Sequence, residues 1–168
     1  HASQYSRVGN NWYAKLVAAE SLLPLTGGYG NANYTDWGKV QVGESWAEFI
    51  GTQYARRRYV DNGFKHFDFN AIGQLSNLSL FNIDREMRFV ETWIPTGFYY
   101  DLMDNVNADP TENFNDAIGG SSIHNMYYVF NSSTNDICTY QGQFLNAYPN
   151  FNQPAFFTLT TFHNINCF

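Results

Sequence analysis

Between Val40 and Tyr59 the chain has no proline, and Val42, Trp46, Phe49, Ile50 and Tyr54 recur at intervals of three and four. That spacing lines them along one face of an α-helix more than five turns long. So long an apolar stripe must be covered by other elements, so the rest of the chain is expected to pack around it. Asn62-Gly63 supplies the stop, and Glu44 and Glu48 share a neighbouring face of the same helix.

The flanking sequence reads as more helices. His1 to Val8 is expected to be helical and stopped by Gly9, a residue that accepts positive φ without penalty. Asn10 or Asn11 is expected to cap a second helix from Trp12 to about Leu23, with Trp12, Leu16, Ala19 and Leu23 on its buried face and Pro24 beyond. Leu25 to Gly38 carries four glycines and reads as a long loop. After an irregular aromatic stretch over Phe64–Leu80, helices are expected over about Ile83–Trp93 and, past Pro95, Gly97–Met103. Asp109-Pro110-Thr111-Glu112 has the cap, proline and acidic residue of a helix start. Ser121 or Ser122 is expected to cap a helix ending at Phe130, and Asp136–Ala147 reads as another. Ala155–Phe162, after a turn flanked by Pro149 and Pro154, fits helix or strand. The expected fold is mainly α, a single domain over residues 1–168 with long ordered loops.

Composition narrows the function. Only 14% of residues are charged and 18% are aromatic, which opposes disorder. A net charge of −6 excludes a nucleic-acid binder, which needs a basic surface against phosphates; Arg56-Arg57-Arg58 is too short to make one. No apolar run is long enough to span a membrane. A neutral polar surface with three lysines suits an extracytoplasmic protein, secreted or anchored at the cell surface. Cys138 and Cys167 are free or paired on this reading. Because the chain starts at His1, it is expected to be a processed product or the C-terminal part of something longer.

Familiar motifs are missing. There is no nucleophile elbow, phosphate loop or Cys-x-x-Cys pair. The acidic run from Asp101 to Asp116 fails as a calcium loop, since Pro110 falls where the sharp turn needs glycine. His66, His124 and His163 have no partner at metal-ligand spacing and read as hydrogen-bonded core or surface residues. What remains is Glu44, a carboxylate placed near an apolar face, where burial is costly unless it is paired or bound to a metal.

Gly43-Glu44-Ser45-Trp46-Ala47-Glu48-Phe49 resembles the third-ligand helix of gluzincin metallopeptidases, whose pattern is close to Asn-Glu-Gly-Phe-Ala-Glu-Tyr. The combination of His1-Ala2-Ser3 with Glu44-Ser45-Trp46-Ala47 is similar to zinc-peptidase-like proteins of bacterial cell surfaces, where His-Glu-x-x-His-Ala-Ser precedes Glu-Ser-Trp-Ala. The resemblance covers His1 to about Ile50. It implies a zincin-like C-terminal helical subdomain acting on a peptide or protein substrate. It makes His1 and Glu44 zinc ligands, with Glu48 accepting a hydrogen bond from a ligand histidine and Ala47 letting the helices approach. The first histidine and the general base would precede His1. The competing expectation is a non-catalytic module whose rings at Tyr29, Tyr34 and Trp37 stack on glycan or grip peptide.

Overall fold

A computed structural model describes residues 1–21, 35–59, 94–95, 97–103, 120–163 and 165–167, giving only the helical backbone at 52 and 55–59. The fold is mainly α, and no strand occurs among the described residues. The helices are α1 (Ala2–Val8), α2 (Asn10–Glu20), α3 (Trp37–Tyr59), α4 (Phe98–Met103), α5 (Ile123–Val129), α6 (Ile137–Ala147) and α7 (Gln153–Phe162). The expected helices at 83–93 and after Asp109, the irregular stretch at 64–80 and most of the glycine-rich loop lie outside the described residues.

Gly9 ends α1 and starts α2 at once, with φ 82° and ψ 170°. A side chain is strained in that region, so this one glycine turns the chain sharply from α1 into α2, a helical hairpin. The sequence pointed to Asn10 or Asn11 as the cap of α2, but Gly9 takes that place without a side-chain bond. α2 lies on α3, which also packs against α4 and α6, while α5 packs on α6 and α4 on α7.

The long helix starts earlier than its pattern predicted, at Trp37 instead of Val40. Asp36 precedes it with φ 63°, a conformation that aspartate tolerates, and its carboxylate pairs with the buried Lys39 ammonium. Trp37 therefore belongs to the helix and is half-buried, not displayed on the loop. Gly38 is buried where a Cβ would lie 2.4 Å from the Asn135 carbonyl oxygen and 2.6 Å from Asp136 Cβ. Only glycine lets α3 pass this close to the start of α6. Gln41 secures the crossing by accepting the Ile137 N–H at 3.3 Å.

Within α3, Val42, Trp46 and Phe49 are buried as their spacing predicts and Ile50 partly so, but Tyr54 is 69% exposed. Trp46 is the hub of an aromatic core, with ring centroids 5.6 Å from Phe49, 5.2 Å from Tyr99 and 4.9 Å from Phe130. Tyr140 joins from α6, 5.3 Å from Tyr99 and 4.9 Å from Phe130, and its hydroxyl donates to the Met126 carbonyl. Phe98, Phe144 and Phe156 extend the cluster toward α7.

The later helices carry the caps their sequences advertise. Ser122 accepts from the Asn125 N–H, Asp136 from the Thr139 N–H, and Asn152 from the Ala155 N–H. Pro154 sits in the first turn of α7, where a missing N–H costs nothing, which settles Ala155–Phe162 as helix. Cys138 and Cys167 form a disulfide that ties the segment after α7 to α6.

Candidate metal centre

The α1–α2 hairpin determines what meets α3. With seven residues in α1 and eleven in α2, the far ends of the two helices lie roughly 10 and 16 Å from the bend. His1, before α1, and Glu20, the last residue of α2, nevertheless come within 4.8 Å of each other through their ligand atoms. The His1 ring packs 6.4 Å from that of Tyr13, on the facing helix. Gly43 lets α3 come close: a Cβ there would sit 3.3 Å from both terminal carbons of Leu16 and 3.6 Å from Gln4 Oε1. The close approach is therefore made at Gly43, while Ala47 stays half-exposed.

The result is a cluster built on three elements. His1 Nε2 lies 3.0 Å from Glu44 Oε1, with the Glu44 side chain 10% exposed and that of His1 33%. Glu20 joins them, and one ligand atom from each of His1, Glu20 and Glu44 lies within 4.8 Å of the others. The two residues predicted from sequence to share a site are brought together; the third was missed. Its one signal was register: Glu20 follows Trp12 and Leu16 at intervals of four, on the edge of the buried stripe of α2.

The electrostatics follow from placing carboxyl groups together out of water. Burial alone would push the Glu44 carboxyl up, but hydrogen bonds to His1 and Glu20 and the His1 charge outweigh it and hold it below the ordinary value. The Glu44 hydrogen bond raises His1, against the opposing effect of burial. Glu20 is pushed up to about 8, first by burial and then by its hydrogen bond to Glu44 and the Glu44 charge. Glu48 is raised by burial and then by the Glu44 charge, with His1 acting the other way. Without a metal, the favoured state is a protonated His1 against a charged Glu44, to which a protonated Glu20 donates.

As a donor set, one imidazole and two carboxylates are what zinc and neighbouring divalent ions accept. A tetrahedral zinc site with bonds of about 2.0–2.2 Å spaces its donors roughly 3.3–3.6 Å apart, so the His1–Glu44 pair, 3.0 Å apart as a hydrogen bond, has to open by a few tenths of an ångström to admit the ion. Glu48, one turn along α3, adds a third carboxyl to the same wall and feels both His1 and Glu44.

The remaining candidates fall elsewhere. His163 is fully buried, its Nε2 2.6 Å from Asp101 Oδ2, and joins the end of α7 to α4 as a core residue. His124 is exposed on α5. His66, Tyr29 and Tyr34 lie outside the described residues. No family model matches the chain, and neither the curated proteins nor the solved structures yield a match.

Proposed function

We propose that this chain is the C-terminal part of a zinc-dependent metallopeptidase of the gluzincin type, acting on peptides or proteins outside the cytoplasm. The observation that carries the reading is the 3.0 Å approach of His1 Nε2 to Glu44 Oε1. These are the two residues that the resemblance picks out, and an αα-hairpin and a glycine contact join them. The Cys138–Cys167 disulfide supports the extracytoplasmic assignment, since disulfides persist in oxidising surroundings. Among the described residues no helix is long and apolar enough to cross a membrane.

In this reading His1 offers a nitrogen and Glu44 an oxygen, and Glu48 orients the ligand pair from one turn away. A bound zinc would lower the pKa of a coordinated water toward about 7 and polarise the scissile carbonyl. The half-buried position of the cluster limits water access, which strengthens the pull of Glu44 on His1. The first histidine and the general base belong, in this proposal, to a His-Glu-x-x segment ahead of His1.

Two measurements test it. The coding sequence immediately upstream of His1 should read His-Glu-x-x, and any other sequence there overturns the peptidase assignment. The 168-residue chain alone should show little or no peptide hydrolysis, with chelator-sensitive cleavage appearing only in the longer protein. Chelator-sensitive cleavage by the 168-residue chain would refute the assignment of the base to an upstream segment.

A further inference from the structure

We infer that Glu20 is a third metal-binding residue of this chain, so that His1, Glu20 and Glu44 bind one divalent transition-metal ion without donors from elsewhere. The inference rests on the reading of His1 and Glu44 as ligands and adds a residue that the resemblance does not supply.

Position is the first argument. Glu20 closes α2, and the Gly9 bend aims that end of the hairpin at Glu44, which leaves the three donor atoms within 4.8 Å of one another. A small side-chain adjustment brings such a set to the donor spacing of a four-coordinate ion.

Unmet polar demand is the second. Glu20 Oε1 is sequestered from solvent with no hydrogen-bond partner. One turn from His1, and against Gly43, the Gln4 side chain is fully buried with neither its oxygen nor its nitrogen partnered. Buried polar atoms left unpaired each cost free energy, and a cation with its bound water supplies partners for both residues.

The donor set also indicates the ion. Two carboxylates and one imidazole are harder than two imidazoles and one carboxylate, so cobalt(II) and manganese(II) should bind as well as zinc, with zinc the tighter of these by the usual order. Three protein donors leave the fourth position to water in this chain, and a histidine from a preceding segment would make the ion five-coordinate, an expansion that zinc accepts.

The test is titration of the chain with zinc and cobalt(II), using a short Gly-Ser extension ahead of His1 so that a terminal amine cannot join the site. The wild type should bind one ion. Glu20→Ala should weaken binding about 100-fold, at or beyond the top of the roughly 10–100-fold range for losing an outer partner, while Glu48→Gln stays within that range. Glu20→His should restore binding and alter the visible absorption of the cobalt form, which a purely structural role for Glu20 would leave unchanged. Should Glu20→Ala lose its helical circular dichroism, Glu20→Gln, which keeps the shape and a hydrogen bond, carries the comparison. Glu20 variants that bind within threefold of the wild type overturn this inference and leave His1 and Glu44 standing. A wild type that binds neither ion overturns this inference, while the peptidase reading, which has a further ligand ahead of His1, stands or falls on the upstream sequence and the longer protein.

Discussion

His1 and Glu20 stand at opposite ends of the α1–α2 segment, yet both hydrogen-bond the carboxyl group of Glu44, because one glycine folds that segment back on itself. The relationship makes the cluster a property of the hairpin as much as of α3. It also places acid–base chemistry and fold stability in the same few residues, and the consequences can be measured.

The stability of the metal-free chain should fall between about pH 5 and pH 8. Glu20 ordinarily titrates near 4.5 but is pushed up to about 8 in the fold. Its stabilising contribution is complete below 4.5 and is lost as the pH rises through 8, because the unfolded chain gives up that proton first. His1 and Glu48, also raised, add losses in the same direction. Glu44, held low, acts oppositely and costs stability only as the pH falls below the ordinary carboxylate range. Thermal melts in the presence of a chelator should show a lower Tm at pH 8.5 than at pH 5.5, and Glu20→Gln should flatten the difference. With saturating zinc the slope should reverse, since the ion competes with protons for the same atoms.

Gly9→Ala should damage both the fold and the site. Its φ of 82° with ψ of 170° is a glycine conformation, so alanine costs about 1–3 kcal/mol by strain alone, although its Cβ would meet nothing within 4 Å. Relief of that strain opens the hairpin and separates His1 from Glu20. A lowered Tm together with weaker zinc binding is the expected outcome. Loss of stability with unchanged binding would show that the hairpin does not set the site.

The sequence revealed the helices better than the site, for a physical reason. Periodicity reports burial along one helix, so Trp12, Leu16 and Ala19, and likewise Val42, Trp46 and Phe49, could be read directly. Tyr54 shares that period but is 69% exposed, because nothing among the described residues covers α3 there as it does at Trp46. Glu44 was legible as a carboxylate beside an apolar face, but its pairing with His1 only through a resemblance in their local residues. Glu20 carries no motif, and its role comes from where Gly9 directs the end of α2. The turn at Asp36 was hidden for a similar reason, since a positive φ at a non-glycine residue leaves no pattern. Burial of His163 against Asp101 depends on two helices 62 positions apart in the chain and could not be read from either alone.

Removing the Cys138–Cys167 disulfide should loosen the C-terminal end more than the candidate site. The bridge closes a loop with a sequence separation of 29, for which chain-entropy arguments give about 3–4 kcal/mol. Cys138→Ser with Cys167→Ser should lower Tm markedly and speed proteolysis after α7. Zinc affinity should stay within a factor of a few, because α1, α2 and α3 contain none of the cross-linked residues.

Gly38→Ala should destabilise the fold even though alanine is the better helix former. The propensity gain is at most about 1 kcal/mol in an open helix. Against it, the new methyl would sit 2.4 Å from the Asn135 carbonyl oxygen and 2.6 Å from Asp136 Cβ, well inside any real contact. The nearest atom is backbone and cannot rotate away, so α3 and the start of α6 must separate, at about 1–3 kcal/mol for overpacking. That movement also strains the Gln41–Ile137 hydrogen bond and the Asp136 cap on Thr139. Urea unfolding should show a lower midpoint with little change in slope. A midpoint equal to or above the wild type would mean that α3 does not cross α6 this closely in solution.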